Sequence, residues 1–528
     1  MSLISRRALL IAAGATTTLA ACSSNRSGSA ESSGTASPAA PVGGDTIVAQ
    51  PEVRASTAGV LSTTLTCQSG TTDVGTSRLA TMSYEGTIPG PTLRLAPGDS
   101  LRFDLINNLT QVTGPGSGSG SGSGNGQGNG QGNGMGNGMQ GMAGMDGGSP
   151  TTNVHTHGLH VSPAGNSDNV FLEVPEGQTQ DYVINIPADH PGGLHWYHPH
   201  HHGSVSPQVL AGMSGAIVIT GPLDEVPEVK AAQEQILILQ RLQPNATMIA
   251  RMASMHDNAF LSGNGNPVFA VNGQVRPKIT MRPGQLQRWR IVMADPIDYF
   301  DLALLDDAGN PVPGAMHMLA FDGLTLPSVQ TVSNQLVVPG NRLDMLVQAP
   351  DQAGMVRLVG RTVPGFGQPD IEFLQVQVAG DPVDMAVPGA LPTQLAPISA
   401  ADVTIRQRVT FGSWNNAMTV NGVNFNDGPD EMAMRVGAVE EWTIENLSDQ
   451  AHAFHIHTNP YFVVAVNGEP LAEPVYHDTY PIPVATGPES AGSITVRFRP
   501  TEFTGRMVQH CHILPHEDAG MMGVVNLV

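Results

Sequence analysis

The stretch PGDSLRFDLIN, residues 97–107, occurs in related form at two further places in the chain. PGQLQRWRIVM covers residues 283–293, and VGAVEEWTIEN covers residues 436–446. Each copy has a glycine, then an aromatic residue, then a Leu or Ile at matching positions, namely Gly98, Phe103 and Leu105; Gly284, Trp289 and Ile291; and Gly437, Trp442 and Ile444. Alternating apolar residues after a glycine turn predict a half-buried strand. The threefold repeat therefore predicts an all-β chain with three related β-sandwich domains.

Length and composition agree with that prediction. The chain has 528 residues, more than one hydrophobic core usually organises, and it contains 61 glycines and 41 prolines. We place the three domains at residues 49–222, 223–385 and 386–528. A net charge of −21 disfavours a nucleic-acid partner, and three cysteines are too few for a disulfide framework.

The N-terminus has the order of an export signal. Arg6 and Arg7 precede an apolar run that is too short for a membrane-spanning helix. Residues 1–21 resemble a twin-arginine signal, and LAAC resembles a bacterial lipobox that ends at a lipidated Cys22. Residues 22–48 predict a flexible tether. We expect an exported, cell-envelope or periplasmic protein that meets the membrane through a lipid anchor only. A plain signal with an incidental cysteine is the other interpretation.

Histidines follow two of the three repeat copies. NVHTHGLH, residues 153–160, comes after the first copy, and HAFHIH, residues 452–457, comes after the third. The second copy is followed by ADPIDYFDLALL, residues 294–305, which contains no histidine. The chemistry is therefore expected where the first and third domains meet, and the middle domain is predicted to be a spacer or a wall that shapes the substrate site.

The segment richest in soft ligands is HCHILPHEDAGMM, residues 510–522. On a strand, His510 and His512 point to one face and Cys511 to the other, because side chains alternate. The two histidine backbones are then about 6.6 Å apart, too far for easy chelation of one ion and suited to two neighbouring ions. On its own face, a thiolate with two imidazoles and a weak axial thioether forms the ligand set of a blue copper site. The partners of Cys511 would be His516, Met521 and a more distant histidine, for which His452 is the natural candidate.

The other H-x-H pairs follow the same strand logic. His155 shares a face with His157, and His455 shares a face with His457. In HWYHPHHHG the pair is either His198 with His200 or His200 with His202, so spacing alone leaves the register open.

In chain order, H-x-H-G, W-Y-H-x-H, H-x-x-H-x-H and H-C-H-x3-H-x4-M resemble the four motifs of the multicopper oxidase family, over essentially all of the chain after the tether. The resemblance implies three cupredoxin-like Greek-key domains and four copper ions, and it favours His198 with His200. It implies type 1 copper on His452, Cys511, His516 and Met521. It implies type 2 copper on His155 and His455, and a type 3 pair on His157, His198, His200, His457, His510 and His512.

The resemblance also implies a reaction. Members of the family take one electron at a time from a substrate at type 1 copper and reduce dioxygen to water at the three-copper cluster. That reduction consumes protons, so acids must lie nearby. Glu517 and Asp168 resemble the family's proton-relay carboxylates, although an exposed acid or a loop cap is the other interpretation for each.

The sequence does not decide which substrate is oxidised. Residues 114–149 form a Gly-rich insert in the first domain that cannot pack a core, and its thioethers at Met135, Met139, Met142 and Met145 are donors that select Cu(I). This favours a cuprous oxidase that serves copper tolerance. A laccase-like oxidase of phenols or aromatic amines is the alternative, and a non-catalytic copper-binding or structural homologue is a third. The sequence does not indicate an oligomeric state.

Overall fold

The computed structural model describes residues 46–110, 150–243, 267–364, 368–414, 417–487 and 490–528. Several predicted features lie outside the described residues, namely the export signal 1–21, Cys22, the tether as far as residue 45, and Met135, Met139, Met142 and Met145 of the insert 114–149.

Short strands dominate all three domains. The first domain contains β1 Val53–Ala55, β2 Val60–Val74, β3 Ser77–Tyr84, β4 Thr92–Leu95, β5 Ser100–Asn108, β6 His155–His157, β7 Thr179–Asn185, β8 Gly193–His198, helix α1 Val205–Leu210 and β9 Gly215–Ile219. The second contains helix α2 Pro227–Ala231, β10 Gln233–Leu242, β11 Val268–Val271, β12 Lys278–Met281, β13 Leu286–Met293, β14 Phe300–Leu305, β15 Met316–Phe321, β16 Leu324–Val332, β17 Gln335–Val337, β18 Arg342–Gln348, β19 Gly354–Thr362 and β20 Ile371–Val378. The third contains β21 Ile405–Trp414, β22 Ala417–Val420, β23 Glu431–Met434, β24 Glu440–Asn446, β25 His452–Ile456, β26 Tyr461–Val466, β27 Glu469–His477, β28 Thr479–Ile482, β29 Gly492–Phe498, β30 Gly505–Cys511, helix α3 Leu514–Asp518 and β31 Met522–Leu527.

Among the described residues these strands form six sheets, two in each domain. In the first domain the strand orders are β1-β4-β9-β8-β6 and β3-β2-β5-β7. In the second they are β11-β10-β13-β18-β15-β16 and β12-β20-β19-β14-β17, and in the third β22-β21-β24-β29-β26-β27 and β23-β31-β30-β25-β28. A separate apolar core fills each pair of sheets. The prediction of an all-β chain with three sandwiches is confirmed.

The three repeat copies occupy equivalent places. They form β5, β13 and β24, which run parallel to β2, β10 and β21 and antiparallel to β7, β18 and β29. The repeat glycines Gly98, Gly284 and Gly437 all have positive φ, at 88°, 73° and 82°. Only glycine adopts this conformation without steric cost, so it marks the turn into each core strand.

The last residues of the predicted tether, 46–48, pack on a domain, which differs from the expectation of a flexible segment as far as residue 48. Ile47 bridges to Lys278, the Val48 amide donates to the carbonyl of Lys278 at 2.9 Å, and Val48 packs into the core of the second domain. Residues 46–48 are thus held on the second domain, because Ile47 and Val48 extend the edge beside β12. The domain boundaries stay predictions. No helix in the described part of the chain is long and apolar enough to cross a membrane.

Candidate metal centre

Neighbouring strands place the predicted ligands beside one another. In the first domain β6 pairs with β8, which sets His155 opposite His198. In the third domain β25 pairs with β30, which sets His455 opposite His510. The next pair along these two strands is Phe454 with Cys511, so the thiol lies on the opposite face from His510.

Eight histidines from the two outer domains form one buried cluster, each at most 2% exposed: His155, His157, His198, His200, His455, His457, His510 and His512. In one part, the Nε2 atoms of His200 and His457 lie 3.2 and 3.3 Å from Nε2 of His510. In another, the rings of His157 and His198 lie 4.9 and 5.6 Å from that of His512. The stacked pairs His155–His457 and His157–His455, at 3.7 and 3.8 Å between ring centroids, join the two domains.

Hydrogen bonds orient these rings through the nitrogen that points away from the cluster. His198 Nδ1–H donates to the carbonyl of Pro199 at 2.9 Å, and His455 Nδ1–H donates to the carbonyl of Asp478 at 2.7 Å. His155 Nδ1 lies 3.0 Å from both carboxylate oxygens of Asp168. The opposite nitrogen, Nε2, of all three is buried and has no hydrogen-bond partner among the described residues. Buried lone pairs without partners are costly, and a metal ion satisfies them.

The protonation state also fits a metal. Burial lowers the pKa of all eight imidazoles, and neighbouring histidines lower it further. The rings are therefore neutral at physiological pH, and a neutral imidazole is the form that binds metal.

A second cluster lies on the other face of β30. Nδ1 of His452 and Nδ1 of His516 are 3.2 Å apart, and Sγ of Cys511 lies 3.5 and 3.7 Å from them. Ser448 Oγ lies 2.9 Å from His452 Nε2 and so leaves Nδ1 for a ligand. Burial raises the pKa of the Cys511 thiol to about 12, so a thiolate here requires a bound cation. Two imidazoles and a thiolate in a compact triangle fit a blue copper site.

Met521 is placed beside this triangle by the backbone. Its carbonyl accepts a hydrogen bond from the Cys511 amide at 3.2 Å, and its fully buried side chain shares an apolar cluster with Cys511. Met521 as the axial ligand stays a prediction.

The two clusters are joined through Cys511 itself. His510 and His512, its covalent neighbours, belong to the eight-histidine cluster, while its Sγ belongs to the triangle. His510 Nδ1–H also donates to the Cys511 carbonyl at 3.1 Å. Few bonds therefore separate the two centres.

The domains that carry the two clusters resemble those of known proteins. Residues 148–224 and 399–527 each match a family profile described as multicopper oxidase. The multicopper oxidase mco of Staphylococcus haemolyticus is 23% identical over 484 residues, which cover 89% of each chain. The chain belongs to the multicopper oxidase family. It is therefore an oxidoreductase, and its buried histidine clusters fit the copper that the family carries.

Two further comparisons extend the likeness. A laccase of Haloferax volcanii is 27% identical over 412 residues, which cover 72% of this chain and 68% of the relative. The solved structure of a multicopper oxidase from Campylobacter jejuni, a metallo-oxidase, covers 92% of this chain and 95% of that one, with a TM-score of 0.70 at 20% identity. The latter shows a shared fold, so the three sandwiches of this chain are cupredoxin-like.

The structure separates the histidines whose register was open. His198 and His200 lie in the cluster, whereas His202 Nε2 lies 3.1 Å from Asn426 Oδ1 and its ring packs on Phe425. The geometry thus favours the register chosen from the resemblance. The copper type assigned to each residue stays a prediction.

Glu517 lies next to the cluster. Its carboxylate oxygens lie 3.1 Å from His510 Nδ1 and 3.5 Å from His200 Nδ1, and the side chain is fully buried. Burial raises the pKa of Glu517 well above its usual value, and the neighbouring carboxylate of Asp518 raises it further. The acid is thus favoured in its protonated form beside the histidines.

Asp168 lies on the other side, against His155. It accepts a hydrogen bond from the Thr156 amide at 2.7 Å, and burial raises its pKa to about 7. Neither Asp168 nor Glu517 is an exposed acid. Their part in proton transfer stays a prediction.

The sequence analysis did not identify two residues that orient the predicted metal-binding histidines. Ser448 orients His452, and Asp478 lies against His157 and His455. Ser448 lies four residues before His452, a spacing that could have suggested a contact. Asp478 lies in YHDTY, where nothing in the local pattern points to the cluster.

Proposed function

We propose that this protein is a copper oxidase that couples one-electron oxidation of Cu(I) to the reduction of dioxygen to water. Four copper ions would be held, one by the Cys511 triangle and three by the eight histidines. The observation that carries the proposal is the convergence, in one cluster, of buried imidazole nitrogens that have no partner among the residues the structure describes. Cys511 joins this cluster to a thiolate site.

Bound copper would supply the redox chemistry at both sites. The residues of the chain would then have separate roles in electron and proton transfer. His516, 7% exposed, is the most exposed member of the Cys511 triangle, so electrons from a substrate would enter through it. The backbone from Cys511 to His510 and His512 connects the triangle to the cluster. One dioxygen requires four electrons and four protons, and Glu517 and Asp168 hold protons at the two sides of the cluster.

Cu(I) as the substrate rests on sequence features. Met135, Met139, Met142 and Met145 are soft donors in an acidic chain of net charge −21. The Campylobacter relative is named a metallo-oxidase, which supports this choice, whereas the Haloferax relative is named a laccase and supports phenol oxidation as the alternative. A non-catalytic homologue is the least favoured, because every predicted ligand is present.

We further propose that the protein is exported and anchored by a lipid at Cys22. The Arg6-Arg7 pair, the apolar run and the LAAC sequence support this proposal. Such a location would place Cu(I) oxidation outside the cytoplasm.

Dioxygen uptake by the copper-loaded protein tests the choice of substrate. We expect saturable uptake with Cu(I), and slow uptake with a methoxylated phenol unless copper is added. Fast phenol turnover without added copper, together with weak Cu(I) turnover, would instead establish the laccase alternative. No uptake with either substrate at full copper loading would contradict an oxidase.

Deletion of residues 114–149 tests the methionine insert. We expect the apparent KM for Cu(I) to rise by about tenfold, because soft donors near the protein raise the local Cu(I) concentration. Phenol turnover serves as the internal control and should not change. An unchanged KM for Cu(I) would remove the insert from the proposal.

A further inference from the structure

A buried arginine of the middle domain reaches the junction of all three domains. Arg342 is the first residue of β18 and is fully buried. Its guanidinium donates to the carbonyl of Leu194 in the first domain at 3.3 Å and to that of Asp322 in the second at 2.9 Å. It pairs with both carboxylate oxygens of Asp478 in the third domain, at 2.6 and 2.5 Å. This two-pronged geometry fixes the orientation of Asp478.

Asp478 in turn holds one cluster histidine from each outer domain. Its Oδ1 accepts from His157 Nε2–H at 3.1 Å, and its carbonyl accepts from His455 Nδ1–H at 2.7 Å. Thr479 Oγ1–H donates to the same Oδ1 at 3.0 Å. The remaining ring nitrogens, Nδ1 of His157 and Nε2 of His455, are buried and have no hydrogen-bond partner in the described part of the chain. One residue therefore sets the tautomer and tilt of two stacked rings across the domain boundary, through its carboxylate for His157 and through its backbone carbonyl for His455.

The glycine of the H-x-H-G motif has a physical explanation here. Gly158 has a φ of 91°, and a Cβ on it would lie 2.2 Å from a guanidinium nitrogen of Arg342 and 2.8 Å from Asp478 Oδ2. No side chain fits at position 158 while the Arg342–Asp478 pair is in place.

The turn that precedes β18 in the middle domain also touches the cluster directly. Arg342 donates to the carbonyl of Gly340 at 3.1 Å, and Gly340 lies against the ring of His512 so closely that a Cβ would be 3.0 Å from three ring atoms. The middle domain, predicted as a spacer or a substrate wall, thus supplies part of the wall of the eight-histidine cluster.

We infer that Arg342 is a positioning residue for the three-copper cluster, acting through Asp478 on His157 and His455. The inference rests on the proposed copper function. It makes the middle domain a requirement for the geometry of the cluster, while the Cys511 triangle, held by Ser448 and β30, is independent of Arg342.

The test compares Arg342→Gln and Asp478→Asn with a matched control in the same domain. Arg288 is also buried and makes a two-pronged pair with Asp344, at 2.8 and 2.7 Å, so Arg288→Gln removes an equivalent pair away from the cluster. Each protein is loaded with copper, its copper is titrated with a chelator, and electron paramagnetic resonance separates the type 1 from the type 2 signal.

We expect the Arg342 and Asp478 variants to bind cluster copper about 10–100-fold more weakly and to show an altered type 2 signal, because outer partners of metal ligands have effects of this size. The type 1 signal and the blue colour should stay as in the parent. Arg288→Gln should lower the thermal midpoint and leave both signals and the copper affinity unchanged.

Arg342→Lys, which keeps the charge and loses the two-pronged pair, replaces Arg342→Gln if the latter does not fold, and we expect the same change in the type 2 signal. The inference would be overturned if the Arg342→Lys and Asp478→Asn variants kept the type 2 signal and the copper affinity of the parent. It would also be overturned if these variants lost the type 1 signal in parallel. A parent protein without any type 2 signal would instead refute the proposed function.

Discussion

Cys511→Ser is expected to abolish the blue absorption and to lower substrate-driven dioxygen uptake by at least about 10³-fold, because the thiolate is both the strongest donor of the triangle and the start of the route to the cluster. The hydroxyl of serine does not ionise at neutral pH, so the triangle loses its charged ligand. The eight histidines keep their hydrogen bonds, so we expect the type 2 signal to persist. Absorption spectra, copper analysis and oxygen-electrode rates measure these effects.

Cys67 provides the matched control for that substitution. It is also fully buried and free, but it lies in the core of the first domain between β3 and β5. Cys67→Ser should lower the thermal midpoint and leave the blue absorption and the oxygen uptake intact. Retention of the blue band in Cys511→Ser would place the thiolate site elsewhere and contradict the proposed centre.

Glu517→Gln is expected to slow reoxidation of the reduced enzyme by dioxygen by about 10²-fold, the lower end of what a positioned acid contributes. The amide has the size of the carboxyl and cannot release a proton. Because Glu517 does not belong to the Cys511 triangle, the blue colour and copper content should be retained. Stopped-flow recovery of the blue band after anaerobic reduction measures the rate.

Glu431→Gln is the control, since Glu431 lies in the same domain at 50% exposure and pairs with Arg506 on the surface. Its reoxidation rate should equal that of the parent. Equal rates in the parent and Glu517→Gln would remove Glu517 from proton transfer and leave Asp168, on the far side of the cluster, as the acid to test.

Local patterns were enough to predict the sandwiches and the ligand pairs. A glycine turn followed by alternating apolar residues specifies a half-buried strand within about ten residues, so the three copies could be recognised at Gly98, Gly284 and Gly437. The two-residue period of a strand likewise puts His155 with His157 and Cys511 opposite His510, because both follow from backbone geometry. The family resemblance then supplied the copper types, which spacing alone does not specify.

Contacts between distant segments depended on the tertiary structure. His157 and Asp478 are 321 positions apart, and Arg342 comes from the middle domain, which carries no cluster histidine. Their meeting depends on how three separately formed sandwiches pack, and a single sequence carries no periodic signal for that packing. The sequence by itself thus determined the strands and which side chains share a face. Only the tertiary structure decided which faces meet and which oxygens orient the histidines, because those contacts are made across domain boundaries.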